Sequence, residues 1–223
     1  MTTTPAAGAP TRIQQNILAR GERRLLNWIC PRLPAWVTPD QLTTLGFLGA
    51  VMVASGYMLS WIDDEWLGLC LAGYIVNWFG DSLDGSLARW RQIERPNYGY
   101  FVDHSVDALA TFLMVGAIGV SPYFRLDVAL MAVIGYFLLS IHTFIAAKVV
   151  GEFRLSYMAG GPTELRLMLM AMTATMAFVG PGDIPGTNFS PFDLFGLVIA
   201  SILVTLFIVQ SFATARMLRA RGG

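Results

Sequence analysis

Residues 81–107 read DSLDGSLARWRQIERPNYGYFVDHSVD. Four aspartates, Asp81, Asp84, Asp103 and Asp107, fall in this stretch, inside a chain of 223 residues that is 55% hydrophobic and 13% charged, with a mean hydropathy of +0.56. A soluble domain carries about 25% charged residues, so the composition is that of an all-α integral membrane protein. An ionisable side chain at bilayer depth costs at least about 2.5–3.5 kcal/mol and persists where it is paired, liganded or facing water. The four acids therefore mark a site, and the rest of the chain has to place them.

A hydrocarbon core of about 30 Å calls for about 20 helical residues per crossing. Six apolar runs of that order predict spans at 40–60, 66–89, 99–120, 127–149, 162–180 and 192–215, separated by WIDDEW, ERPNYG, VSPYFR, the segment around GEFRLSYMAGG, and GPGDIPGTNFSPF. In this six-helix arrangement every lysine and arginine except Arg125 falls on one side, whereas Arg125 lies with Asp63, Asp64, Glu65 and Asp183 on the other. Positive charge collects on cytoplasmic flanks, which places both termini and the acids on the cytoplasmic side.

Ahead of the spans, residues 12–30 set Ile13, Ile17, Leu18, Leu25, Trp28 and Ile29 against arginines and glutamines. That pattern predicts an amphipathic helix on the membrane surface, with a helix packed on the base of the bundle as the alternative. Thr38, Pro39 and Gln41 supply an N-cap, a first-turn proline and a capping box for the first span. Residues 1–11 read as a disordered tail without the charged start and apolar run of a signal peptide, which suits a bacterial or archaeal plasma membrane. The membrane domain is expected over 38–217. Zero net charge removes the basic surplus of a nucleic-acid binder. Cys30 and Cys70 are too few for a disulfide framework.

Asp81 and Asp84 are three apart near the end of the second span, and Asp103 and Asp107 are four apart at the start of the third, so each pair shares a helix face. A short loop joins the two spans, which predicts antiparallel neighbours with all four carboxylates converging at one depth. Four anions at one point need positive charge to stay ionised. Arg89 is one candidate cation, but a carboxylate cluster without nitrogen or sulfur ligands suits hard divalent ions, here one or two Mg2+ or Mn2+. Two such ions suit displacement at phosphorus. Gly85, Ser86, Ala88 and Gly99 leave space beside the acids for a bulky phosphate-bearing ligand, although small residues in membrane helices also serve packing.

The pattern Asp81-x-x-Asp84-Gly85-x-x-Ala88-Arg89, then Gly99-x-x-x-Asp103-x-x-x-Asp107, resembles the signature of the CDP-alcohol phosphotransferases, membrane enzymes of phospholipid synthesis. The resemblance implies that Asp81, Asp84, Asp103 and Asp107 ligate a metal pair and that Asp107 also acts as general base on the acceptor hydroxyl. It implies that Asp81, Asp84, Gly85, Ala88, Arg89 and Gly99 surround the nucleotide and its diphosphate, and that the protein works as a homodimer. The implied reaction joins a CDP-alcohol donor, CDP-diacylglycerol above all, to a small polar alcohol and releases CMP. Lys148, Arg154 and Arg166 lie on the same face as the acids; they are candidates for an acceptor phosphate or plain positive-inside residues. In GGPTELR, residues 160–166, Glu164 and Arg166 either border the acceptor or open a helix. His104 lies one position round the helix from Asp103, and His142, in the fourth span, either lines the acceptor cavity or is a satisfied polar residue.

DHSVD is similar to the branch of the family that passes a CDP-linked choline or ethanolamine headgroup to diacylglycerol, with Ser105 where glycine is common. Outside the family, acids within spans also mark ion pathways, so a divalent-cation transporter is the rival; it calls for polar ligands leading to the far side, and spans four to six hold few. A catalytically dead lipid-binding protein is a third reading, against which stands the intact set of four acids.

Overall fold

The computed structural model describes residues 11–13, 19–150, 152–154 and 162–222. Among the described residues seven α-helices make up the body: α1 Ala19–Ile29, α2 Pro39–Leu59, α3 Leu67–Arg91, α4 Pro96–Gly119, α5 Leu126–Val150, α6 Pro162–Val179 and α7 Pro191–Ala220. Two three-residue strands, β1 Thr11–Ile13 and β2 Glu152–Arg154, pair in parallel. Helices α2 to α7 lie where the apolar runs predict them. By length and composition, α2, α4, α5 and α7 are able to cross a membrane. Helices α3 and α6 fall outside that set, because α3 carries Asn77, Asp81, Asp84, Arg89 and Arg91, and α6 carries Glu164 and Arg166.

The ends of α2 follow the sequence signals. Thr38 N–H donates to Gln41 Oε1 at 2.9 Å and Gln41 N–H donates to Thr38 Oγ1 at 3.3 Å, which satisfies two of the free amides at the helix start. Helix α3 stops at Gln92, whose φ of 57° takes the left-handed turn that closes many helices.

Glycines set how closely α2 and α3 approach. A methyl group on Gly80 would lie 2.3 Å from the Gly46 nitrogen and 2.4 Å from the Leu42 carbonyl oxygen. On Gly49 it would lie 2.3 Å from the Asn77 nitrogen, and on Gly73 2.7 Å from the Val53 nitrogen. Small residues let membrane helices meet backbone to backbone, where dispersion and polar contacts take over from the hydrophobic effect. Asn77 Nδ2 donates to the Gly46 carbonyl at 2.9 Å across this contact. Deeper in the same seam, the Tyr57 hydroxyl meets Thr173 Oγ1 and Tyr74 Oη, tying α2, α3 and α6 together.

Helix α2 packs against α3 and α4; α3 also packs on α6, α4 on α5, and α5 on α7. Thus α3 and α4, expected as neighbours, are bridged by α2 rather than packed along their lengths. The glycines explain this: they admit α2 so closely that it becomes the main partner of α3.

The two ends of the bundle are stitched differently. At one end Asp193, buried at the start of α7, accepts from Arg125 N–H and Ser190 N–H, both at 2.7 Å. Tyr123 donates its hydroxyl to Asp64 there; burial first, then that carboxylate, hold the phenol above its ordinary pKa and keep it a donor. At the other end Arg91 donates to the carbonyls of Leu33, Pro34, Ala35 and Val37, and Arg95 pairs with Asp40. Helix α1 docks there too: Leu26 and Cys30 are buried with Leu42, Leu83 and Leu87, while Leu25 and Trp28 stay exposed. The amphipathic segment begins its described helix at Ala19, not at residue 12, because Arg12 and Ile13 are in extended pairing with β2. Residues 1–10 of the expected tail lie outside the described residues.

The glycine seam makes a direct prediction. Gly80→Ala loses roughly 1–3 kcal/mol of stability through overpacking. Gly68→Ala, where the added carbon meets nothing within 4 Å, does not destabilise. Thermal unfolding of the two variants in detergent gives the comparison.

Candidate active site

Three of the four aspartates meet. Carboxylate oxygens of Asp81 on α3 and of Asp103 and Asp107 on α4 lie within 4.8 Å of one another, all three residues being partly buried. Asp84 falls outside that distance but lies within electrostatic reach of Asp81 and Asp103. It is buried against α2, where its Oδ2 accepts from Thr43 Oγ1 at 2.6 Å, and its Oδ1 accepts from the Gly85 amide. Three residues along a helix advance the side chain by about 300°, and that offset from Asp81 turns Asp84 toward α2.

Thr43 is therefore a site residue that the acid pattern did not reveal; the signal was the Thr43-Thr44 pair one turn into α2. A second is Tyr136 on α5, which lies within electrostatic reach of Asp107 and Asp81 and whose backbone carbonyl accepts from Ser140 Oγ at 3.0 Å.

The cations are sorted by geometry. Arg166 Nη2 donates to Asp81 Oδ2 at 2.9 Å, with the two side chains 12% and 20% exposed, so this is a sheltered ion pair within the acidic group. A charge-assisted bond of this kind is about twice as strong as a neutral one. Arg89 points outward, its Nη2 donating to Ser86 Oγ at 3.3 Å. Lys148 is exposed at the last turn of α5. Arg154 is in β2, and its side chain lies outside the described residues. His104 Nδ1 is 3.0 Å from Asp103 Oδ2, and its ring lies beside Tyr100 with centroids 4.3 Å apart. His142 Nε2 meets Thr214 Oγ1 at 3.2 Å, in line with a satisfied polar residue.

Gly85 and Gly99 differ from the seam glycines. A methyl on Gly99 would meet nothing within 4 Å, and on Gly85 only the guanidinium of Arg89, at 3.2 Å. Helix packing does not require glycine at either place. Ala88 is half-buried on the same helix and its carbonyl accepts the Ile93 amide that closes α3.

Three carboxylates so close, offset by one guanidinium, form an all-oxygen donor set of the kind that holds hard divalent cations. The donors come from two helices held by α2 rather than by each other, so their spacing is set by the bundle.

The CDP-alcohol phosphatidyltransferase family pattern matches residues 36–218, from the segment before α2 almost to the end of α7. Among curated proteins, the chain is 26% identical over 190 residues to cholinephosphotransferase 1 of Danio rerio, a match spanning 77% of this chain and 48% of that protein. It is 32% identical over 104 residues to archaetidylinositol phosphate synthase of Pyrococcus horikoshii, 47% of this chain and 52% of that protein. The chain spans about half the length of these relatives. The match over most of its length, taken with the gathered acids, shows that the chain belongs to the CDP-alcohol phosphatidyltransferase family.

Proposed function

We propose that this chain transfers a phosphatidyl or other substituted phosphoryl group from a CDP-alcohol, CDP-diacylglycerol in the leading reading, to a hydroxyl of a small polar alcohol, releasing CMP. The observation that carries the proposal is the group of Asp81, Asp103 and Asp107 beside two glycines that packing leaves free. Asp81, Asp103 and Asp107 would hold Mg2+ or Mn2+, with two ions in the full site. Metal ions bound there supply charge neutralisation for a diphosphate and for the departing CMP.

The chain's own groups account for the rest. Asp107 accepts the proton of the attacking hydroxyl, a role that needs a carboxylate within reach of the acceptor. Asp84, anchored by Thr43, completes the acidic set from the side of α2 and faces the nucleotide with Gly85, Ala88, Arg89 and Gly99. Arg166, Lys148 and Arg154 border the acceptor side. Helices α3 and α6 cross the membrane with the four apolar helices, their charges sheltered among neighbours or set at the interface; both termini and the site face the cytoplasm. Exposed Leu25 and Trp28 of α1 rest in the membrane surface. Assembly as a homodimer belongs to the same proposal and rests on the family resemblance.

A second reading keeps the site and exchanges the substrates: a CDP-linked headgroup is donor and diacylglycerol acceptor. The similarity over 77% of this chain to a protein named cholinephosphotransferase favours it. Purified protein offered each donor with a panel of acceptors, in Mg2+ or Mn2+, distinguishes the two by the pair that yields CMP. Under either reading Asp107→Asn lowers the rate by about 100-fold to 10,000-fold, the usual contribution of a general base. Wild-type rates in that variant contradict the assignment.

Orientation is checked separately. Cys30 and Cys70 are buried, so an impermeant thiol reagent reports on introduced cysteines. Glu94→Cys, in the turn between α3 and α4, is expected to react only from the cytoplasmic side, and Ile62→Cys, beyond α2, only from the opposite side. The reverse pattern overturns the topology.

A further inference from the structure

Glu22 is the one acidic residue between Thr11 and Trp36. It lies in the first turn of α1, where a carboxylate favours the positive end of the helix. That alone would leave it facing water. Instead it is half-buried and gathers donors from two other helices. Its Oε1 accepts from Trp78 Nε1 at 3.0 Å and from Ser82 Oγ at 2.9 Å, both on α3. Thr163 Oγ1, on α6, is 3.0 Å from each carboxylate oxygen.

These contacts bracket the Arg166–Asp81 pair. Trp78 and Ser82 are four apart and share a face of α3, with Asp81 next to Ser82; Thr163 is three residues before Arg166 on α6. Three helical residues rise about 4.5 Å, so Glu22 ties α3 to α6 within about one turn of the ion pair. The pairing of β1 with β2 is a second, backbone tether from the same N-terminal segment, to the connection between α5 and α6.

We infer that Glu22 is a positioning residue of the proposed site: it fixes the register in which Arg166 of α6 reaches Asp81 of α3, making α1 part of the site's framework. The inference rests on the reading of Asp81, Asp103 and Asp107 as the metal-holding group. A guanidinium on Asp81 opposes the entry of a cation. Loosening Glu22 lets Arg166 leave, and the acids then bind a cation more tightly.

The test is Mn2+ affinity, by electron paramagnetic resonance, of the full chain in detergent without substrates. Arg166→Gln is expected to tighten Mn2+ binding by about fivefold or more, since it removes a positive charge from the acids. Glu22→Ala is expected to shift affinity in the same direction and to add nothing in the Arg166→Gln background. Glu22→Gln, which keeps an acceptor for Trp78 and Ser82 while removing the charge, is expected to stay within about twofold of wild type. An unchanged affinity in Glu22→Ala, an effect independent of Arg166, or an equal effect in Glu22→Gln overturns the inference. If Glu22→Ala does not fold, Thr163→Val carries the same comparison by cutting only the α6 contact. A wild-type chain that binds no Mn2+ overturns the metal reading itself. A double-mutant cycle of Glu22 and Arg166 on thermal unfolding then decides the inference, with additive effects refuting it. CMP release tests the reaction apart from both.

Discussion

Like charges held a few ångströms apart in a sheltered place repel, and that constraint organises this molecule. Asp81, Asp103 and Asp107 bring carboxylate oxygens within 4.8 Å of one another. A fold that merely needed polar glue would match each acid with a cation, since an uncompensated charge in such a place is costly. Among the described residues, Arg166 on Asp81 is the arginine paired with this group, and His104 adds a contact on Asp103. The surplus of negative charge is what a divalent cation would relieve, and on that ground we propose that one completes the site.

Holding repelling groups together requires a rigid frame, and the seam between α2 and α3 supplies it. Gly49, Gly73 and Gly80 let two backbones touch, leaving no room for even a methyl group, and Gly46 leaves a tight fit. Because α2 also packs on α4, it holds the helices that carry the acids at a distance set by its own width. On the helices that carry the acids, Gly99 has nothing within 4 Å of an added methyl and Gly85 only the Arg89 guanidinium. Glycine thus does two opposite things here: it closes one interface and keeps another open.

Much of this was legible in the sequence. Apolar runs and breakers located α2 to α7 to within a few residues, except that α7 runs on to Ala220, and Thr38 and Gln41 marked the start of α2 through a capping box. The spacing of the acids was read as convergence of all four; three gather within 4.8 Å, and the bond from Thr43 to Asp84 was hidden because which neighbour fills a helix face is a tertiary fact. The same limit hid the role of α2: the pattern of glycines at 46, 49, 73 and 80 was present in the sequence, but their partners lie on another helix. Arg166 was singled out for an acceptor, and its contact with Asp81 needed the packing of α6 on α3. Glu22 carried no local signal, since its partners are more than fifty residues away.

In the proposed site these three carboxylates hold a divalent metal. Anomalous diffraction from crystals of the protein grown with Mn2+ tests it most directly. A manganese peak is expected at coordinating distance from oxygens of Asp81, Asp103 and Asp107. A peak elsewhere in the bundle, with these carboxylates left to Arg166 and His104, would contradict it.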